Sequence, residues 1–177
     1  MEKMNYKYLI LLFITLVLQV SGVAVADKTV SEYTIKAAFI YNFARFTQWT
    51  DDSSELKVCI YGKDPFGENI DKLHDKKTNG RTIKIIRTQL IKEVATCHIA
   101  FLNIIPPERH LFEKALSSLK GKNVLTISDA VNVIDYGVMI GLVIEDDKVG
   151  FKVNHSHAKA SHITISAKLL QLAKEVI

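Results

Sequence analysis

Between residues 58 and 127, short apolar runs alternate with stretches of helical character, and this alternation limits the fold more than any other feature. Val58-Cys59-Ile60-Tyr61 ends at Gly62 and reads as a strand. Asp64-Pro65 follows as a helix start, with aspartate as cap and proline in the first helical position. Thr82–Ile86 reads as a strand, Gln89–Thr96 as a short helix or turn, and His98–Asn103 as a strand. Pro106-Pro107 opens a helix to about Lys120 that Gly121 stops. Asn123–Ile127 is the last strand of this set. Short apolar strands spaced by helices predict an α/β fold: a three-layer α/β/α sandwich with a largely parallel central sheet.

The flanks complete that reading. Ser31 to Phe46 predicts a helix, capped by Ser31, with Ile35, Ala38, Phe39, Asn42, Phe43 and Phe46 on or near one face. Val138–Glu145 and Lys148–Asn154 flank Asp146-Asp147 and predict an antiparallel edge hairpin. His155–Ile177 reads as mostly helical, with Leu169, Leu170, Leu172, Ala173 and Val176 as its apolar set.

Residues 1–26 form a separate segment. Lys3 and Lys7 precede an apolar run from Leu9 to Val20, and Ala24-Val25-Ala26 is an A-x-A site. That is the layout of a cleavable signal peptide. The rival reading is an uncleaved membrane anchor, but the run is shorter than the roughly 20 residues a spanning helix needs. No cysteine closes the run, which argues against a lipid anchor. Residues 27–177 then form a single domain, large enough to bury a core, in an exported compartment where cysteines can oxidise.

Composition excludes some functions. The formal net charge is +4, yet the basic residues are scattered, with Lys76-Lys77 their only adjacent pair. Nucleic-acid binding needs a clustered patch, so no nucleic-acid partner is expected. Gly62-Lys63-Asp64-Pro65-Phe66-Gly67 has phosphate-loop spacing, but Glu68 and Asn69 follow where lysine and serine or threonine belong. Ser128-Asp129 lacks a nucleophile elbow and reads as a cap and turn. His155, His157 and His162 form the sole metal-like cluster; the H-x-H pair alone supplies too few ligands for a zinc site, and on a helix His157 would point away from the face shared by His155 and His162. No catalytic residues, metal or cofactor are therefore expected, and the domain is read as a non-enzyme.

Cys59 lies in the first strand and Cys97 at the mouth of the third. If the first strand is central, the two strands are neighbours about 4.8 Å apart, within the roughly 4.4–6.8 Å Cα range of a disulfide. Geometry permits a bridge and the compartment favours it. Two buried free thiols are the alternative, and a redox-responsive bridge is a sharper version of the first reading. Of the aromatic residues Tyr41, Phe43, Phe46 and Trp49, most fit the core. Trp49 reads either as core or as an exposed anchor beside Arg45, since tryptophan and arginine are enriched at binding hot spots.

The order and spacing of several segments resemble the YfiR/HmsC-like family of small exported regulators. They are Lys36–Phe46 followed by Trp49, Cys59–Gly67, Gly80-Arg81, Cys97–Leu102, Val124–Asp129, Val149–Asn154 and Ile165–Leu170. Tyr136-Gly137 stands where the family commonly has Gly-Gly, Thr50 follows the tryptophan in place of proline, and a second cysteine pair found in some relatives is missing. The resemblance implies a periplasmic, non-catalytic α/β/α sandwich. It implies a repressor that binds the periplasmic domain of an inner-membrane diguanylate cyclase, lowering cyclic di-GMP and biofilm formation. It implies a Cys59–Cys97 disulfide and places His162 in a segment that lines a pocket. The expected partner contacts are Arg45, Trp49 and Phe151. A homodimer and a small-molecule ligand are further expected partners. The rival functions are a periplasmic small-ligand sensor and, resting on the histidine cluster, a periplasmic hydrolase.

Overall fold

The computed structural model describes residues 31–103 and 109–177. The expected signal peptide and the Pro106-Pro107 helix start lie outside the described residues.

The chain runs α1 (Glu32–Phe46), β1 (Thr47–Gln48), β2 (Glu55–Gly62), α2 (Glu68–Asp71), β3 (Lys77–Thr78), β4 (Arg81–Thr88), α3 (Ile91–Val94) and β5 (Ile99–Asn103). It continues α4 (Arg109–Leu119), β6 (Leu125–Ser128), β7 (Ile140–Glu145), β8 (Lys148–Val153), α5 (His155–Ala160), β9 (Thr164–Ile165), α6 (Ala167–Leu172) and β10 (Glu175–Val176). The main sheet has the order β10-β8-β7-β6-β5-β2-β4-β3. Strands β4, β2, β5, β6 and β7 are parallel, while β3 and β8 pair antiparallel to their neighbours.

Strand β5 shows why the apolar runs are continuous. Successive side chains of a strand point to opposite faces. Ile99 and Phe101 join a core cluster with Ile40, Phe43 and Phe151, under α1. Ala100 and Leu102 join a second cluster with Val94, Phe112 and Val138. Both faces are covered, so the sandwich has three layers. Each fully buried phenylalanine contributes about 2–3 kcal/mol on transfer alone.

The β7–β8 hairpin turns at Asp146 (φ 50°) and Asp147 (φ 57°), the paired left-handed residues that a two-residue hairpin loop requires. At the end of β2, a Cβ on Gly62 would lie 2.1 Å from the Asn103 carbonyl oxygen, so only glycine fits there. The Gly62–Gly67 segment is accordingly a packed turn, with Gln89 Nε2 donating to the Gly62 carbonyl at 2.7 Å.

Several local expectations are corrected. The buried face of α1 is Lys36, Ala37, Ile40, Phe43 and Ala44, rotated from the expected stripe, and Ser31 makes no side-chain cap bond. Asp64 caps a turn at the Phe66 N–H (2.7 Å) and not a helix, because α2 begins only at Glu68 after Gly67. Residues 155–177 are not one long helix: left-handed His162 (φ 57°) ends the α5 segment, and β9 then pairs with β1. Leu172 and Val176 are exposed, while Leu169 is buried.

Candidate functional site

A wide cleft lies at the carboxyl end of β6, where open α/β sheets place their ligands. Strand β6 stops at Ser128, paired with Gly141, while β7 continues to Glu145. The gap above β6 is a cleft of about 770 Å³ between the Asp129–Asp135 loop and the end of β7, with α1 at its floor.

Lys36 sits at that floor with its side chain 4% exposed. Its ammonium contacts Glu32 one turn earlier and Asp129 at 2.5 Å. Tyr33 Oη donates to the same Asp129 oxygen at 3.3 Å. Burial pulls the Lys36 ammonium down, but the hydrogen bonds to Asp129 and Glu32 outweigh it and hold the group above the ordinary lysine value. Burial, then the Asp129 charge, raises the Tyr33 hydroxyl. The sequence reading missed this cluster, because 93 residues separate Lys36 from Asp129. Ser128 does not serve as a nucleophile here: it is buried, and Oγ donates to the Leu102 carbonyl at 2.8 Å.

A second recess lies at the other end of α1. Arg45, Phe46, Gln48, Asn79, Thr164 and Ser166 line about 330 Å³. Arg45 is exposed, and its backbone carbonyl accepts from Asn79 Nδ2 at 2.9 Å. Trp49 is 9% exposed. Its indole N–H donates to the His98 carbonyl at 3.0 Å, and the two rings meet edge to face at 5.8 Å.

The three C-terminal histidines do not converge. His157 Nδ1 lies 3.0 Å from the Gly137 carbonyl, and His162 is exposed. Burial, then the Lys159 charge, lowers the His155 imidazole. No cluster of three or more metal-type side chains occurs among the described residues. Cys59 and Cys97 are joined in a buried disulfide with Cα atoms 6.1 Å apart, bridging β2 to the residue two before β5.

A sequence model of the YfiR/HmsC-like family matches residues 33–174. The chain belongs to the YfiR/HmsC-like family. This is a family of periplasmic, non-catalytic regulators of diguanylate cyclases that act with a partner protein. No helix among the described residues is long and apolar enough to cross a membrane. No curated protein matches the chain. Among solved structures, an ABC domain in complex with L-Trp from Streptococcus pneumonia is similar at TM-score 0.53 and 13% identity, over 82% of this chain. A conserved domain protein from Vibrio cholerae is similar at TM-score 0.55 and 9% identity, over 83% of this chain. The chain spans 60% of the length of each. These likenesses establish the fold alone.

Against the contacts expected of a YfiR/HmsC-like protein, the structure separates three residues. Arg45 is on the surface. Trp49 is largely enclosed, with its polar atom already bonded. Phe151 is 2% exposed and packs edge to face on Phe43 (5.1 Å) and Phe39 (5.6 Å). Phe151 is therefore a core residue and not a surface contact, because α1 covers the face of β8 to which its ring points. His162 lines none of the recesses described above.

Proposed function

We propose that this domain binds the periplasmic sensor region of an inner-membrane diguanylate cyclase and holds the enzyme inactive, lowering cyclic di-GMP and biofilm formation. The family match across residues 33–174 carries the reading. The chemistry-bearing side chains are consistent with it, since each is held in a structural contact: Ser128 by Leu102, Asp129 by Lys36, and the cysteines by each other. Repression requires only that the domain bind the inactive cyclase conformation better than the active one. A tenfold preference corresponds to about 1.4 kcal/mol, within reach of a few contacts. Arg45, exposed at the end of α1, is the contact we assign from the sequence reading.

The test is capture with tagged domain from detergent-solubilised inner membranes, paired with cyclic di-GMP measurement in a deletion strain. Recovery of a membrane cyclase and a rise in cyclic di-GMP are expected. Repeated capture without a cyclase, with unchanged cyclic di-GMP, would sink the proposal.

A further inference from the structure

The cleft above β6 leaves a strand edge open. In a two-residue hairpin the closing pair, Glu145 and Lys148, exchanges both backbone hydrogen bonds, and the pairs then alternate. Ile144 and Val149 form a non-hydrogen-bonded pair, so Ile144 turns its N–H and C=O away from β8. That direction faces β6, whose last paired residue, Ser128, stands opposite Gly141. Among the described residues, no backbone pairs with Ile144 there. Open strand edges are templates for a further strand.

The surroundings select what that strand carries. Val131, 84% exposed, and Ile144, 51% exposed, flank the cleft with aliphatic surface. Carboxylates of Glu32, Asp129, Asp135, Glu145 and Glu175 line it. Lys36 and Lys152 are the lining ammonium groups, and Lys152 already pairs with Glu175 at 2.6 Å. Lys174 holds Glu145 from outside at 2.6 Å. The cleft thus stays acidic in a chain of net charge +4.

We infer that this edge accepts an extended segment of a partner protein, in which basic residues alternate with aliphatic ones, by strand addition to β7 beyond Ser128. Backbone bonds to Ile144 would supply affinity, and the acidic walls would select cationic side chains. Naming the cyclase sensor region as the source of that segment rests on the proposed function.

The probe is a fluorescein-labelled peptide of alternating lysine and valine, with a glutamate–valine peptide as counterpart, titrated by anisotropy against the folded domain. The basic peptide is expected to bind at least about tenfold tighter, a difference near 1.4 kcal/mol, and to weaken as salt rises. Ile144→Pro removes the outward N–H without removing a β7–β8 bond, and should weaken binding at least about fivefold. Asp135→Lys, at an exposed position, should do the same without perturbing the fold. Equal binding of the two peptides, or full binding by both variants, overturns the inference. A dimer that Asp135→Lys dissolves would assign the edge to a second copy and also overturn it. Cyclase capture that survives Asp135→Lys rejects this surface and leaves the proposed function standing. Peptide binding without any cyclase capture does the reverse.

Discussion

The backbone N–H of Lys57 donates to Nδ1 of His98 at 2.9 Å, and this contact fixes the tautomer of the ring. An amide N–H can only donate, so Nδ1 accepts and the proton resides on Nε2. That nitrogen lies 3.1 Å from Asp51 Oδ2 and donates to it. His98 therefore links the β2 backbone to the segment after Trp49. His98→Ala should lower unfolding free energy by about 1–3 kcal/mol, the cost of leaving part-buried groups unsatisfied. His98→Asn should recover part of the loss, because its amide oxygen can replace Nδ1. Urea unfolding followed by circular dichroism reads both, and an Asn variant no better than Ala would refute the Lys57 contact as the cause.

Asp51 gives this region a pH dependence. Partial burial pushes its carboxyl up, but hydrogen bonds from His98, Arg81 and the Ser53 N–H outweigh that and hold it well below the usual carboxylate range. A carboxyl depressed in the folded state adds stability above its unfolded pKa, about 3.9. That stability is lost as pH falls below the unfolded value towards the folded one. Asp51→Asn should destabilise the domain at neutral pH and flatten the stability curve below about pH 4. Unfolding free energies across the acid range would show it, and parallel curves for the two proteins would refute it.

The Cys59–Cys97 bridge closes a sequence separation of 38 residues. On the chain-entropy model such a loop contributes roughly 4 kcal/mol. Cys59→Ala with Cys97→Ala should lower stability by about that amount. Both sulfurs are buried, so reductant and alkylating reagent should label the native protein only as fast as it opens. Mass-spectrometric alkylation rates settle the matter. Rapid labelling under native conditions would instead mark an accessible, switchable bridge.

The legible parts of this fold are those fixed by local pattern. Val58–Tyr61 and His98–Asn103 read as strands because a strand buried on both faces is apolar throughout. Their adjacency then put Cys97 within reach of Cys59. The buried face of α1 is not legible locally, because a lysine reads as solvent-facing until Asp129, far along the chain, is brought beside Lys36. Leu169, Leu170 and Leu172 do lie on a helix, α6, but it spans only Ala167–Leu172 and buries Leu169 while Leu172 stays exposed. Nothing local shows that Thr164-Ile165 will pair with Thr47-Gln48. Val138–Glu145 reads locally as one arm of a hairpin, but its overhang beyond β6 depends on where β6 ends.

Lys36 tests how strongly that cluster holds α1. Removing the ammonium takes the shared cation from Asp129 and Glu32 and leaves the Tyr33 hydroxyl bonded to Asp129. Lys36→Met should cost about 3 kcal/mol, as breaking one side of a buried ion pair does. Adding Asp129→Asn should recover much of the loss, because the uncompensated charge is gone. Calorimetric melting of the single and double variants checks this. Strictly additive losses would contradict the pairing.

Arg45 and Phe151 separate binding from folding. Arg45 is exposed, so Arg45→Glu should change stability by no more than about 0.5 kcal/mol. If Arg45 meets the cyclase, the same change should weaken capture by about tenfold through charge reversal at the contact. Phe151→Ala opens a cavity beside Phe39 and Phe43, and should cost about 3–5 kcal/mol. Any loss of capture by Phe151→Ala should then follow the unfolded fraction and vanish in the folded fraction isolated by gel filtration. Folded Phe151→Ala protein that still fails to capture the cyclase would return Phe151 to the interface. Wild-type capture by Arg45→Glu would remove Arg45 from it.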